Sequence, residues 1–387
     1  MTVRVNKSAF NIREKLSELA VKFGLKGSEL ARAETVQDAR NLVSAGRKNL
    51  IINGDMRIAQ RSNSAAASND EYNTLDRWNT WVNFGTGGVT MSQASAAPPG
   101  FYKSLQYYNN TSATNPSYLF AEQKIEAQNI PQLKMGTSDA EYMTLSFWVR
   151  SSRTGTFNVE LLDDDGSHHA VHKYTINSAD TWEYKTITIP PATSTGVPTY
   201  DNTVGLTLSW WIVGGNSYNG TSADGSWQTF STTRRNDGGN TVFEDPDYWQ
   251  LTGVQLEKGK NATEFEHRSY GEELALCQRY YYKLVAYENF TRWATGWAIS
   301  STQATFLIKF PVTMRTITSD PILVGTVQAS DGNAALSSTS VTRVGSTRGV
   351  DGASVRITTT SGLVQYRPYY LESANGTGNS IAFSAEL

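Results

Sequence analysis

A long succession of short strand-like segments is the feature of this sequence that most restricts its fold. Across residues 48–258, about ten segments such as YMTLSFWVR, WEYKTITIP and VGLTLSWWIV follow one another, separated by Gly, Pro, Asn or Asp. Segments this short and this regularly spaced predict an antiparallel jelly roll or a related β-sandwich. The composition agrees, because only 18% of the 387 residues are charged and 11% are aromatic.

Alternation within two segments predicts which side chains face the core. Leu145 and Phe147 point to one side of their strand and Trp148 points to the other. Trp210 and Trp211 likewise point to opposite faces, so the rings on the second face need a further explanation. Most tryptophans in sandwiches are core residues, and on that ground the predicted core set is Trp78, Trp148, Trp210 and Trp249.

Four parts of the chain differ in their apolar spacing. Residues 1–47 have the spacing of helices, 48–268 form the jelly-roll body, 269–284 form a short linker helix, and 285–387 form a second, smaller β-sandwich. The predicted fold class is therefore mainly β, with α-helical segments at the N-terminus and between the two β regions.

The first predicted helix carries a narrow apolar stripe. Apolar residues recur there at steps of three and four, and charged residues occupy the other faces. One helix cannot bury such a stripe on itself, so it must pack on a partner. That partner is either the β body or, as the terminal position favours, copies of the helix or another protein. The residues expected to make this attachment are Phe10, Ile12, Leu16, Leu19 and Phe23.

Composition excludes several classes of protein. The single cysteine, Cys277, rules out an intramolecular disulfide, and a net charge of −2 gives no electrostatic reason to expect nucleic acid. No apolar run approaches the roughly 18 residues of a membrane span. The charged first residues lack the apolar core of a signal peptide, so we expect synthesis in a cytoplasm without secretion.

Candidate catalytic and metal-binding groups are few. Residues 163–166, DDDG, could ligate calcium, although acidic residues before glycine also form ordinary turns. His168, His169 and His172 lie close by, but a strand would point them in alternating directions; a trimer axis could still collect one from each copy. No known catalytic motif is present, and the scattered carboxylates define no glycosidase pair. We predict no enzyme, no metal and no cofactor, and we interpret the EHR triplet at 266–268 as a salt-bridged joint.

Sugar binding requires aromatic faces beside hydrogen-bonding side chains. A pyranose ring presents C–H groups to an aromatic face and hydroxyl groups around its rim. The long polar loop at residues 214–245 is a candidate location, since loops of this length usually have a function or are disordered. The predicted glycan-binding residues are Tyr218, Trp227, Trp293 and Trp297.

Two stretches of the sequence resemble a known family. KNLIINGDMRIAQR, followed by YNTLDRW, begins the body, and WQLTGVQLEKGKNATEFEHRSYGEELALCQRYY ends it. Together with the helical head, these stretches resemble fibre and appendage proteins of marine, podovirus-like cyanophages, and they are most like a tail fibre. The resemblance covers mainly residues 3–61 and 249–281, somewhat under a third of the chain.

The resemblance implies a structural protein of the virion tail. Fibres of this kind are usually homotrimers, in which residues 1–47 would attach to a tail adaptor or nozzle protein, or to the capsid. Residues 285–387 would be distal, and the fibre would bind a host glycan or lipopolysaccharide. The alternatives are a capsid fibre or decoration appendage, and a polysaccharide-degrading or carbohydrate-binding jelly-roll protein.

Overall fold

Two six-stranded antiparallel sheets pack face to face around one core in the central part of the chain. Every strand pair in the described parts of these sheets is antiparallel, which is the arrangement that short turns between consecutive strands allow. The computed structural model describes residues 48–83, 88–109, 117–163, 166–222, 225–316 and 319–387.

Twelve strands within these described ranges make up the body. They are β1 (Ser64–Ala66), β2 (Asn79–Asn83), β3 (Val89–Ala94), β4 (Ser104–Asn109), β5 (Tyr118–Glu126), β6 (Met143–Ser151), β7 (Gly155–Asp163), β8 (His168–Ile176), β9 (Glu183–Ile189), β10 (Val204–Gly214), β11 (Gln228–Thr229) and β12 (Tyr248–Lys258). The first sheet has the spatial order β1-β3-β4-β12-β6-β9, and the second has the order β11-β8-β7-β10-β5-β2. Short 3₁₀ helices occur at Ala127–Asn129, Pro131–Leu133, Asn216–Tyr218 and Thr232–Arg234.

The inner faces of the two sheets form the main core. Phe147 of β6 and Trp210 of β10 are fully buried, and their rings lie 6.1 Å apart in an edge-to-face contact. Trp78, which precedes β2, places its indole 5.3 Å from that of Trp210 and so belongs to the same core. The prediction of a β-sandwich body is confirmed. Trp249 of β12 is also fully buried, as assigned.

The C-terminal region forms the predicted second, smaller β-sandwich. Its strands are β13 (Tyr281–Val285), β14 (Arg292–Ala298), β15 (Gln303–Lys309), β16 (Ile322–Val324), β17 (Val327–Ser330), β18 (Ala335–Ser337), β19 (Ser340–Arg348), β20 (Gly352–Thr358), β21 (Pro368–Ser373) and β22 (Ser380–Ser384). A three-stranded sheet, β13-β22-β16, faces a seven-stranded sheet, β18-β17-β21-β14-β15-β20-β19. Phe306, Val355 and Phe383 are buried in the core that the two sheets share.

Residues 49–60 are irregular, although their apolar sequence, with a turn signal at Asn53 and Gly54, is typical of an interrupted strand. The backbone here is satisfied by buried side chains instead of a neighbouring strand. Asn53 is fully buried at a φ of 58°. Its side chain donates to the carbonyls of Ile58 (2.8 Å) and Asp76 (2.9 Å) and accepts from the Ile58 N–H (2.9 Å). Its own N–H donates to the carboxylate of Glu273, and its carbonyl accepts from the Trp78 indole.

The linker helix α1 spans Tyr270–Gln278, and it ends earlier than predicted because Tyr281 already pairs with β22 as the first residue of β13. A reciprocal capping box fixes its start. The Ser269 side chain accepts from the Glu272 N–H at 3.3 Å, and the Glu272 carboxylate accepts from the Ser269 N–H at 2.9 Å.

Arg268 forms the salt-bridged joint that the EHR triplet predicts. Its guanidinium lies 3.3 Å from the Glu273 carboxylate and 3.5 Å from that of Glu266, and it donates to the carbonyls of Asn49 and Ile51. The beginning of the body, the end of the body and helix α1 are therefore tied together at one place.

The last residues of the chain return to the body. Arg77 is buried, stacks 3.6 Å over the ring of Tyr280, and pairs with the Glu386 carboxylate. Arg279 binds both carboxylate oxygens of Glu126 at 2.8 Å, a bidentate geometry that fixes direction as well as distance. These ion pairs join the two β-sandwiches.

The predicted N-terminal helices and their attachment residues Phe10, Ile12, Leu16, Leu19 and Phe23 lie outside the described residues. In the part of the chain that the structure describes, no helix has the length and apolar character that crossing a membrane requires.

Replacing Asn53 should strongly destabilise the body. Asn53→Ala removes three side-chain hydrogen bonds and leaves a non-glycine residue at a positive φ, so the free energy of unfolding should fall by about 3–4 kcal/mol. Asn53→Gly is the matched control, since it loses the same bonds but tolerates the backbone, and it should lose about 1 kcal/mol less. Chemical denaturation measures both; equal losses for the two variants would contradict the strain, and losses under 1 kcal/mol would contradict the role of the hydrogen bonds.

The buried carboxyl of Asp76 should make stability depend on pH. Burial raises its pKa to about 6, against the opposing effect of Arg61. A raised pKa favours the protonated folded state, so this stabilisation is present below about pH 4 and is lost as the pH rises through about 6. Asp76→Asn cannot ionise, so it lacks this pH dependence. The stability of the wild type relative to this variant should therefore fall by up to about 3 kcal/mol between pH 4 and 7, measured by denaturation across that range; a constant difference would contradict the assignment.

Candidate functional site

An aromatic stripe crosses the outer face of the first sheet. We define it by five rings, contributed by Phe101, Trp148, Tyr184, Phe265 and His267. Trp148 and Tyr184 are paired across β6 and β9, with their rings 5.3 Å apart. Phe101 lies 5.1 Å from Phe265 and 5.4 Å from His267. The assignment of Trp148 to the core is therefore wrong, because alternation with the buried Phe147 sends its side chain to the outer face.

A glycine connects the two halves of the stripe. The register of β12 shifts between Thr252 and Gln255, and within this bulge Gly253 has a φ of 61°. A Cβ atom on Gly253 would lie 2.7 Å from the Phe101 ring and 3.0 Å from that of Trp148. Both rings therefore depend on the bare glycine backbone for their positions.

Part of the stripe is open to solvent. Tyr184 is 45% exposed, His267 is exposed, and Phe101, Trp148 and Phe265 are half-buried. The stripe passes over the three neighbouring strands β12, β6 and β9, so it is at least roughly 10 Å long. A surface of this length can contact more than one ring of an extended ligand.

Amide and hydroxyl groups lie beside the stripe on the same sheet face. Gln250 donates to the amide oxygen of Gln106 at 2.7 Å, while its own buried amide oxygen has no hydrogen-bond partner among the described residues. Arg150 lies 5.3 Å over the ring of Tyr248, and both side chains bond to Asp180. Aromatic faces beside hydrogen-bonding side chains are the combination that a pyranose ring requires.

The outer face of the second sheet also carries aromatic rings, but the protein covers them itself. Trp211 stacks on Phe120 with centroids 4.5 Å apart, and Tyr218 of the long loop lies 5.4 Å from Trp211. The guanidinium of Arg235 lies 4.8 Å over Trp211 and 5.1 Å over Phe120. Arg235 therefore occupies the position over these rings that a sugar would need.

Two buried carboxylates lie on that covered face. Glu122 and Glu160 are both paired with Ser209 of β10 in the strand register, one on each side. Glu160 is fully buried and bonds to His169 (2.8 Å) and Arg235 (2.7 Å). Burial raises the pKa of Glu122, although Lys124 opposes the shift. A raised pKa suits a general acid, but neither carboxylate is more than 5% exposed. Glu160 instead holds the long loop on the sheet through Arg235.

The other residues predicted to bind glycans lie in different places. Tyr218 belongs to the covered face, whereas Trp227 packs against the main core and donates its indole N–H to the Pro190 carbonyl at 3.0 Å. Trp293 and Trp297 lie on β14 in the C-terminal unit, with Trp297 52% exposed. The structure does not bring these four residues together in one site.

Sequence reasoning missed most of the stripe. Phe101 and Phe265 lie in irregular segments, and Tyr184 comes from an edge strand. The one available signal was the placement of Trp148 opposite the buried Phe147 in the strand alternation.

The histidine and aspartate candidates form internal contacts. His169 bonds to Glu160, and His168 bonds to Ser167 at 2.8 Å. In the described ranges no group of three or more His, Cys, Asp or Glu residues is arranged to hold a metal ion, and Asp164 and Asp165 of the predicted calcium loop lie outside those ranges.

Comparisons with known proteins find only distant similarity. No family model matches the chain, and no curated protein matches its sequence. Among solved structures, the chain is similar to the enzymatically active domain of bacteriophage CBA120 tailspike protein 4, with 13% identity and a TM-score of 0.30 over 55% of this chain and 21% of that one. It is similar to a CBM4 structure, with 13% identity and a TM-score of 0.28 over 54% of this chain and 98% of that one. The chain is also similar to a structure from Bacteroides thetaiotaomicron described as a sugar binding protein, with 11% identity and a TM-score of 0.31 over 55% of this chain and 100% of that one. The case for a function therefore rests on the site geometry.

Adding a side chain at Gly253 should disturb the stripe. Gly253→Ala places an alanine at a positive φ and displaces the Phe101 ring, so the free energy of unfolding should fall by about 2–3 kcal/mol. Gly100→Ala is the matched control, because Gly100 also has a positive φ of 93° but has open space around it. The control should lose only about 1–2 kcal/mol. Urea denaturation of both variants tests this, and equal losses would show that the rings do not depend on the glycine.

Proposed function

We propose that this protein binds glycans through the aromatic stripe on the outer face of the first sheet. The observation that carries the proposal is the partly open pair of Trp148 and Tyr184, on the same sheet face as the half-buried amide of Gln106. Aromatic rings gain stability from burial, and leaving them half-exposed on an outer face is typical of interaction surfaces. A sugar ring would cover the aromatic faces, and its hydroxyl oxygens would accept from the half-buried amide of Gln106.

A purely structural role explains only part of the stripe. Phe101, Phe265 and His267 contact one another and hold the segment after β12 against the sheet. Tyr184 holds no such segment, because it lies on the edge strand β9 and nearly half of it is exposed. The Trp148 and Tyr184 end is therefore the expected ligand-binding end.

The charges near the stripe favour a neutral sugar. The guanidinium of Arg150 on this face donates to the Asp180 carbonyl at 3.0 Å while lying over Tyr248. Stacking and amide hydrogen bonds are left as the main sources of affinity. Neutral pyranose oligosaccharides are the ligand class that this combination suits.

We further propose that the glycan-binding body belongs to a phage fibre that attaches to its host through surface polysaccharide. This proposal is supported by the sequence resemblance at residues 3–61 and 249–281. The described residues that carry it, including Asn53, Arg268 and Glu273, form the joint between the body and α1 rather than the binding face. Trimeric assembly, attachment through residues 1–47 and the choice between tail and capsid belong to the same proposal.

Removing the exposed ring should weaken glycan binding selectively. Tyr184→Ala and Trp148→Leu should each lower the affinity for a bound neutral oligosaccharide about three- to tenfold, the loss expected for one stacked aromatic contact. The control is Tyr366→Ala, which removes a 78% exposed tyrosine from the C-terminal unit and should bind like the wild type. The probes are immobilised linear tetrasaccharides of glucose, xylose, galactose and mannose, followed by titration calorimetry on those retained.

Two results would contradict this assignment. If neither stripe substitution weakens binding, the site lies elsewhere. If the protein retains none of the four tetrasaccharides, neutral oligosaccharides are not its ligands. The same incubations assayed for newly released reducing ends test the polysaccharide-degrading alternative, which requires release by the wild type.

A further inference from the structure

A second cleft opens in the C-terminal sandwich where two adjacent strands separate. β14 and β15 pair only between Gly296–Ala298 and Ala304–Phe306. Beyond this point, β14 continues to pair with β21, and β15 continues to pair with β20. The space between the separated strands is a groove of about 520 Å³. This volume lies within the range of small-ligand sites.

Aromatic and apolar side chains line this groove. Trp293 and Thr295 belong to one wall and Leu307 to the other, and Tyr282 of β13 and Tyr370 of β21 complete the lining. Leu307 is 69% exposed, so the lining is not sealed as part of the core. The indole N–H of Trp293 is buried without a hydrogen-bond partner among the described residues. A buried donor without a partner is costly, and an acceptor brought in by a ligand would relieve that cost.

The groove also carries an excess of positive charge. Lys309 lines it and forms no ion pair with any described residue. Arg292 stacks 4.1 Å over the ring of Tyr370 and lies 3.3 Å from the Glu372 carboxylate, which neutralises it in part. No acidic residue is among the described residues that line the groove. One free cation beside aromatic walls matches a ligand with a single negative charge and a flat apolar ring face.

We propose that this groove binds a carboxylated pyranose, of the kind found in acidic surface polysaccharides. The sugar ring packs against Trp293, a ring oxygen or hydroxyl accepts from the Trp293 indole, and the carboxylate pairs with Lys309. This site is separate from the aromatic stripe and differs from it in ligand charge. Its test therefore succeeds or fails independently of the stripe proposal.

Oligosaccharides that differ only in the carboxyl group give the sharpest test. The full chain carrying Trp148→Leu and Tyr184→Ala, which weaken neutral-sugar binding at the stripe, is titrated with trigalacturonic acid and with the neutral galactotriose of the same linkage, by calorimetry at low salt. We expect the acidic trisaccharide to bind at least fivefold more tightly at this groove. Lys309→Gln, which removes the charge but keeps a polar side chain, should lower the affinity for trigalacturonic acid about tenfold and leave that for galactotriose unchanged.

Two further variants locate the binding. Trp293→Phe keeps an aromatic wall but removes the N–H, and it should weaken both trisaccharides while the chain remains folded, as judged by an unchanged unfolding midpoint. Tyr184→Ala in the stripe should leave trigalacturonic acid binding unchanged. Equal affinity for the two trisaccharides, or an affinity for trigalacturonic acid that Lys309→Gln leaves unchanged, would overturn the proposal. Loss of trigalacturonic acid binding in Tyr184→Ala would overturn it as well. Concentration-dependent self-association that Leu307→Ser abolishes would instead assign the groove to a second copy of the chain.

Discussion

The buried hydrogen bonds of Asn53 are the interaction on which the rest of the body depends. They hold an irregular segment next to β12, where Gly54 accepts from the Val254 N–H at 2.9 Å. A Cβ atom on Gly54 would lie 2.2 Å from the Val254 carbonyl oxygen, so only glycine allows this approach. Val254 directly follows Gly253 in the bulge of β12. The contact that Asn53 supports is thus continuous with the bulge that positions Phe101 and Trp148.

The same contacts connect the body to the C-terminal sandwich. Glu273 of α1 accepts from Asn53 and pairs with Arg268, so the helix starts from a fixed point. Arg279 and Arg77 then tie the helix end and the chain end to the body through Glu126 and Glu386. Breaking one partner of such a buried pair leaves an uncompensated charge, which makes these joints sensitive to single substitutions. The sequence stretches that resemble phage fibre proteins coincide largely with this framework.

Regular strands were predictable from the sequence, and irregular segments were not. The alternation around Phe147 and Trp210 correctly predicted both inner faces and therefore the sandwich. Residues 49–60 look like a strand because they are apolar, but their backbone bonds to the side chains of Asn49, Asn53 and Gln123, which no periodicity reveals. Alternation also placed Trp148 correctly on the second face, and the expectation that tryptophans are core residues overrode it. The rest of the stripe combines residues from loops and an edge strand, and only the tertiary fold brings these together.

The three aromatic surfaces differ in what covers them. Arg235 covers the second outer face, the groove in the C-terminal sandwich is open and positively charged, and the stripe is open and nearly uncharged. The most direct test of glycan binding is a crystal structure of the full chain with a neutral tetrasaccharide that it retains. We expect a pyranose ring stacked against Trp148 and Tyr184. A tetrasaccharide bound on any other surface, with the stripe unoccupied, would contradict it.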